Sequence, residues 1–507
     1  VTRFVPSQPT PVTDSPAPEA LRDGTSAPRF DHGLVRLFRN TFALAIGRNA
    51  NAVGRLVVAS FIVRGLGAES FAVYSVIVAL LAIADWVLDF GTTDVFVREI
   101  VKDEARHAAI RRSLIAIKLI QAPLAIGVMT ALLFAMDYSE EIVLGGLVAA
   151  ISVVFVAGVA IYRAFFKAAL TMEREMLAEL ISVLALLVLV VAAASLELGT
   201  MGLMVALCLS RGIFLAGCAA LAGSERSLSF GAIEPTEIVW LARASSLIGV
   251  IGFLVVVNNA IEILLLSKLS SLADVAYFSA AQKLTWPIFM VLGALGTSAY
   301  PVLAAQFPIA RDRFHRSCQQ IFDVTVMAGG LAISGVYAGA EFLIRLLGAD
   351  LLPATAAVRL LVIMCVVKSI AAVIGPTLYV AGAQRHALLY FSIAVALKAV
   401  AIGLVAEPYG FFGAAVATLV VDAFVITPIT LWYVRRFTGF RPKLGVAAVA
   451  AAVSFTAVAV AQLVLPAEPL ARAVLAGAIY CAVLAATRRA DVRQLMDFLR
   501  RKRERAA

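Results

Sequence analysis

Arg48 and Arg55 stand seven residues apart in the apolar run ALAIGRNANAVGRLVVASFIV, so on a helix they share one face, with Asn51 between them. A guanidinium at membrane depth is costly unless it pairs, snorkels or faces water. Arg48 lies near one end of its run and can snorkel, whereas Arg55 is mid-run and cannot. Later apolar runs are interrupted by the cations Lys118, Arg211, Lys283, Lys368 and Lys398 and by the anions Asp85, Asp89, Glu262 and Asp422. Asp85 and Asp89 are one helical turn apart, and Glu262 follows Asn258 by four residues, which makes a polar stripe. Two chemistries fit these charges. One is a water-filled cavity with surplus positive charge, built to hold an anionic group, with Arg48, Arg55, Arg211, Lys283 and Asn258 on its wall. The other is interhelical ion pairing that only locks the helices together. Asp85, Asp89 and Glu262 can also serve as proton or sodium sites for ion coupling, because burial raises a carboxylate's affinity for a proton. Lys283 precedes Trp286-Pro287, where a proline leaves a helical carbonyl without its donor, either at an open kink or at an ordinary bend.

The elements that must position these groups are membrane-spanning helices. Of the 507 residues 62% are hydrophobic and 15% charged, and the mean hydropathy is +0.94, values that place most of the chain in lipid rather than water. Apolar stretches predict about fourteen spans, at 42–63, 72–92, 113–136, 142–162, 177–196, 201–222, 242–265, 274–300, 319–339, 355–375, 387–406, 411–433, 445–465 and 471–487. The fold class is therefore all-α and polytopic. The organising stretch is Leu66 to Glu99, which opens on a glycine turn, crosses an apolar run holding Asp85 and Asp89, and leaves through Phe90-Gly91 towards Arg98.

That stretch has an echo about 205 residues later, where Phe278-Ser279 matches Tyr74-Ser75 and Leu295-Gly296-Thr297-Ser298 matches Phe90-Gly91-Thr92-Thr93. Gly199-Thr-Met-Gly202 opens the sixth span and Gly410-Phe-Phe-Gly413 the twelfth. Copies displaced by six helices point the same way, which predicts two six-helix lobes related by a pseudo-two-fold along the membrane normal, with a cleft between them. The expected organisation is a disordered cytoplasmic tail (1–41), a first lobe (42–222), a second lobe (223–440), two further helices (441–487) and a basic cytoplasmic tail (488–507).

With the first residues placed inside, the inside loops and tails collect roughly thirty Lys and Arg against about four outside, a strong positive-inside asymmetry that predicts cytoplasmic termini. The first forty residues are Pro-rich without an apolar signal region, and read as a tail rather than a cleaved leader. Asp491–Arg505 spaces Val492, Leu495, Met496 and Leu499 along one helical face; this is either an amphipathic helix on the anionic inner leaflet or a plain solubilising tail. The net charge of +10 is a matter of membrane orientation, not of nucleic-acid binding. Five scattered cysteines and four histidines form no metal spacing, and no phosphate-binding loop or hydrolase elbow is present, so no metal, no cofactor and no enzymatic activity are expected.

The opening Leu66-Gly67 with Phe71 and Tyr74, the exit to Arg98, Ala276-Tyr277-Phe278-Ser279-Ala280-Ala281-Gln282-Lys283, Tyr300-Pro301, Leu346-Leu347-Gly348, Gly382-Ala383-Gln384-Arg385 and Tyr409-Gly410 with Gly413-Ala414-Ala415 follow one another in a fairly specific order. Over about residues 40–487 this pattern resembles the polysaccharide-transporter (oligosaccharide flippase) family of the multidrug/oligosaccharidyl-lipid/polysaccharide (MOP) exporter superfamily. The resemblance implies a two-lobed fourteen-helix transporter in the bacterial plasma (inner) membrane. It would move undecaprenyl-pyrophosphate-linked oligosaccharide units outward by alternating access, for surface polysaccharides such as lipopolysaccharide or exopolysaccharide. It adds Arg98 to the substrate-binding set. Its implied partners are the lipid-linked oligosaccharide, membrane lipids, and a polysaccharide polymerase and glycosyltransferases. A cation-coupled exporter and a peptidoglycan lipid-precursor flippase of the same superfamily are the alternatives. A polymerase or ligase would need a large outer segment, and the longest expected outer loop is the short stretch Gly339–Pro353.

Overall fold

The computed structural model describes residues 31–100, 107–223, 235–307 and 309–487, with side chains from residue 51 onward except at 107–108, 384–385, 387 and 390. The Pro-rich segment 1–30, the basic tail 488–507 with its expected amphipathic helix, and the side chain of Arg48 lie outside the described residues. Every regular element among the described residues is helical. In chain order these are α1 (Asp31–Asp89), α2 (Thr92–Ile100), α3 (His107–Ala135), α4 (Glu140–Ala168), α5 (Met172–Ser195), α6 (Gly199–Leu221), α7 (Pro235–Leu269) and α8 (Leu272–Gln306). The second half continues with α9 (Arg311–Ala338), α10 (Ala340–Leu347), α11 (Thr355–Ile374), α12 (Thr377–Val380), α13 (Gln384–Val421), α14 (Thr427–Thr438), α15 (Gly445–Val464) and α16 (Pro469–Thr487). The helix begins at Asp31, so residues 31–41, expected in the disordered tail, are helical; Pro28, the last proline before it, lies three residues upstream.

Among the described residues twelve helical runs are long and apolar enough to cross a membrane. The difference from the expected fourteen lies in two runs of 50 and 48 residues, Asn51–Ile100 and Phe391–Thr438. A straight helix of that length would measure about 75 Å, more than twice the hydrocarbon core. The long helix in each is broken by a glycine with non-helical backbone, Gly67 (φ 90°) in α1 and Gly410 (φ 52°) in α13. A positive φ is open to glycine at little cost, and here it turns the chain between the expected spans 42–63 and 72–92, and between 387–406 and 411–433, inside what is otherwise one helical run. A short element was also missed. After Phe90 (φ 38°) and Gly91 (φ 75°) the chain folds into α2, which buries Val95, Phe96 and Ile100 and carries Arg98. The stretch 339–353, expected to be an outer loop, is α10 followed by a 3₁₀ turn, Ala349–Ala354.

The duplication is visible in the packing. α3 lies against α4 as α9 lies against α11, and α1 against α5 as α7 lies against α13. At the glycine turns the two halves repeat the same contact with different chemistry. The Ser70 hydroxyl bonds that of Thr200 at 3.2 Å, while Asp274 accepts the backbone N–H of Phe411 at 3.2 Å. α15 and α16 pack on α9 and on each other, an addition to the second half. Towards the glycine-turn end the halves share one apolar core, in which Val58, Phe71 and Leu80 meet Phe278, Ile344 and Leu361. At the opposite end are two separate cores, one around Phe96 and Phe165 that also takes in Leu241 of α7, and one around Phe314 and Phe322 in the second half.

The halves also touch directly through α7 and the tail of α1. The Trp86 indole N–H donates to the Gly249 carbonyl at 2.9 Å, and a Cβ on Gly252 would fall 1.9 Å from the same indole. A Gly252→Val protein is expected to lose the close approach, at a cost of at least about 1–3 kcal/mol, and to melt earlier in detergent. An unchanged melting curve would contradict this packing.

Candidate functional site: charged groups at the centre of the helix bundle

In the first half the charges answer one another between helices. The Arg211 guanidinium on α6 grips Asp85 with two parallel bonds of 3.0 and 2.9 Å, the fork geometry that suits arginine to a carboxylate. Arg55, midway along the apolar run of α1, reaches Glu179 on α5 at 3.0 Å, and Arg163 on α4 is held by Glu175 on α5. Lys118 on α3 is fully buried and donates to Asp89 (2.9 Å), Thr92 (2.8 Å) and the Leu88 carbonyl (3.0 Å), while the Thr93 hydroxyl donates to the same Asp89 oxygen. Asp85 and Asp89, one turn apart, therefore serve different neighbours, α6 and α3.

The second half holds a denser group. Lys398 on α13 lies between Glu262 of α7 (3.1 Å) and Asp422 (3.7 Å), and Gln282 on α8 donates to the other Glu262 oxygen at 3.0 Å. Asp422 opens a π-helical turn, Asp422–Ile426, between α13 and α14. Two lysines are treated differently. Lys283 has no ion pair among the described residues; its ammonium stands over the rings of Tyr74 (5.4 Å) and Phe71 (5.7 Å) from the other half. Lys368 on α11 donates to the Asn259 amide oxygen at 2.7 Å and stands over Trp286 (5.5 Å) and Phe289 (5.4 Å), again with no carboxylate within 4.0 Å among the described residues. An aromatic face shelters a cation by its quadrupole but leaves its net charge in place, which a carboxylate does not.

The structure thus gathers part of the candidate set. Arg55 and Arg211 both bear electrostatically on Tyr74, and Arg55 on Lys283, which stands over that ring where the halves meet. Asn258 is buried, and its side-chain oxygen has no hydrogen-bond partner among the described residues. Arg98 stands apart on α2, exposed and bonded to Glu99. Asp85 and Asp89 are engaged by Arg211 and Lys118, and Glu262 by Lys398 and Gln282. Glu175, Glu179 and Gln282 were absent from the expected set. Glu175 lies before the expected span 177–196, in a charged stretch that α5 makes helical from Met172, whereas Glu179 lies within that span.

Removing one member of a buried pair strands the other at a cost of about 3–5 kcal/mol. Asp89→Ala should therefore destabilise the protein by that order in denaturant unfolding. Adding Lys118→Met, which removes the stranded charge, should recover most of the loss; a single variant as stable as the parent would contradict the pairing.

Comparison with known proteins places this arrangement. The fold is shared with a lipid II flippase, MurJ, in an inward closed conformation (TM-score 0.73, 13% identity, covering 88% of this chain and 99% of that one). It is shared with an inward-facing multidrug resistance MATE family transporter of the MOP superfamily (TM-score 0.65, 14% identity, 77% and 94%). A MOP superfamily transporter from Pyrococcus furiosus, described as having a binding pocket of reverse polarity, is also similar (TM-score 0.58, 15% identity, 80% and 97%). A sequence search of the curated proteins gives no match. The family model described as "Polysaccharide biosynthesis protein" matches residues 37–307, more than half of the chain. The chain, multi-pass and helical with the fold of these transporters, belongs to the polysaccharide biosynthesis protein family.

Proposed function

We propose that this protein is a flippase for undecaprenyl-pyrophosphate-linked oligosaccharides, carrying them from the cytoplasmic to the outer leaflet of the bacterial plasma membrane by alternating access. The observation that supports this reading is the pair of ammonium groups, Lys283 and Lys368, sheltered by rings and free of carboxylates, while Arg55, Lys118, Arg211 and Lys398 are paired with acids. A pyrophosphate leaving water needs desolvated positive partners, and the lysines supply them without first breaking an ion pair. Arg55, half-exposed beside Lys283, adds a guanidinium once Glu179 releases it.

Cytoplasmic termini follow from the excess of Lys and Arg in the loops at the Arg98 end. Loading from that side brings the headgroup past α2 towards the centre, and release follows when the shared core at the glycine-turn end parts. Glycosyltransferases supply such a substrate and a polymerase consumes it. No catalytic step on the glycan is part of this mechanism. A peptidoglycan lipid precursor carries the same pyrophosphate and would engage the same lysines; the glycan alone distinguishes the two.

The test is translocation of a fluorescent pyrophosphate-linked oligosaccharide in reconstituted vesicles. Lys283→Ala and Lys368→Ala are each expected to slow it at least about tenfold, the effect of losing one charge-assisted hydrogen bond of about 1.5–3 kcal/mol, with insertion unchanged. Arginine at either position should restore part of the rate. Parental rates in both alanine variants would refute the assignment, and competition by a peptidoglycan precursor would redirect it to that substrate.

A further inference from the structure

The Lys398 group has a feature that substrate binding does not use. Lys398, Glu262 and Asp422 are 0%, 2% and 1% exposed, in the most buried charged cluster described. Lys398 hydrogen-bonds Glu262 at 3.1 Å but stands 3.7 Å from Asp422, and neither Asp422 oxygen has a hydrogen-bond partner among the described residues. One helical turn before Asp422 on α13, Thr418 is fully buried and its hydroxyl is likewise unpartnered. The other charged or titratable groups bearing on the cluster are Lys368 and Cys365, both on α11. Asp422 also begins the π turn, a local widening that recurs at functional positions in helices. Two carboxylates, with an unpartnered hydroxyl one helical turn from one of them, make an oxygen-rich group, the donor set of a hard cation. Among the described residues no group of three acidic, histidine or cysteine side chains is present to hold a divalent metal, so a single charge is the natural occupant.

We infer that Lys398 is a tethered cation: its ammonium occupies a monovalent-cation site built by Glu262, Asp422 and Thr418, so that this protein needs no free sodium ion there and acquires a sodium site when the ammonium is removed. The loose 3.7 Å contact to Asp422 and the unpartnered oxygens are what a fixed-length side chain leaves when it reaches one ligand well and the other only by charge. Without the ammonium, two carboxylates remain buried with the more distant Lys368 as their remaining cation, and an ion small enough to enter is favoured strongly. The inference rests on this geometry alone and stands whichever glycan, if any, is carried.

The experiment compares thermal unfolding of the purified full chain in detergent, in sodium chloride and in choline chloride at equal ionic strength. The parent protein should melt identically in the two salts. Lys398→Ala should melt lower than the parent in choline and gain, saturably with sodium, about 2 °C or more at a hundredfold excess over Kd. Lys398→Ala/Asp422→Asn should lose that gain. If Lys398→Ala does not accumulate, Lys398→Gln prepared in sodium should lose stability when exchanged into choline. A saturable sodium response in the parent, no sodium response in the lysine variants, or rescue of those variants by acid instead of sodium would each overturn the inference.

Discussion

A charge inside a bilayer must be cancelled, hydrated or given up, and this structure is arranged around that constraint. In a low dielectric an unpaired ion repels the fold that buries it, while a well-placed partner binds the two helices that carry the pair. The first half takes the second course: Arg211 and Asp85, Arg55 and Glu179, and Lys118 and Asp89 each link α1 to another helix. The second half gathers Glu262, Asp422 and Lys398 into one buried cluster. Lys283 and Lys368 follow neither course, resting on aromatic rings that keep them dry without cancelling them. The difference between cancelled and sheltered charge separates the groups that hold the bundle from those proposed to hold a substrate.

The duplicated architecture determines where those groups lie. A positive-φ glycine in each half, Gly67 and Gly410, turns the chain between consecutive crossings without a loop. The contacts that close those turns, Ser70 on Thr200 and Asp274 on Phe411, show that the two halves have kept a geometry while exchanging its chemistry. The halves share one core at the turn end, and at the other only α7 joins the core of the first half; Lys283 of one half meets Phe71 and Tyr74 of the other across the seam between them.

Much of this was legible in the sequence. Apolar run lengths dictate membrane helices, the Leu66-Gly67 and Tyr409-Gly410 turns stand out by composition, and the echo of the second span in the eighth declares the duplication. The set of intramembrane charges was also visible as a set. Which acid answers which base was not, because Arg55 and Glu179 are 124 residues apart, Arg211 and Asp85 126, and Lys398 and Glu262 136. Helical periodicity assigns a residue to a face but not to the neighbour that face meets. Asp85 and Asp89 illustrate this: they share a turn, yet they serve different helices. Glu175 was hidden for another reason, since a charged opening turn lowers hydropathy and the expected span 177–196 starts after it, whereas α5 starts at Met172.

The central claim is that sheltered positive charge between the two halves receives a lipid's phosphates. It is tested most directly by offering the unaltered protein, in reconstituted vesicles, two lipids with the same glycan and the same isoprenoid chain, one joined by pyrophosphate and one by an uncharged ether. The account predicts that only the pyrophosphate lipid crosses and that the neutral lipid does not slow it. Equal transport of both lipids would contradict it.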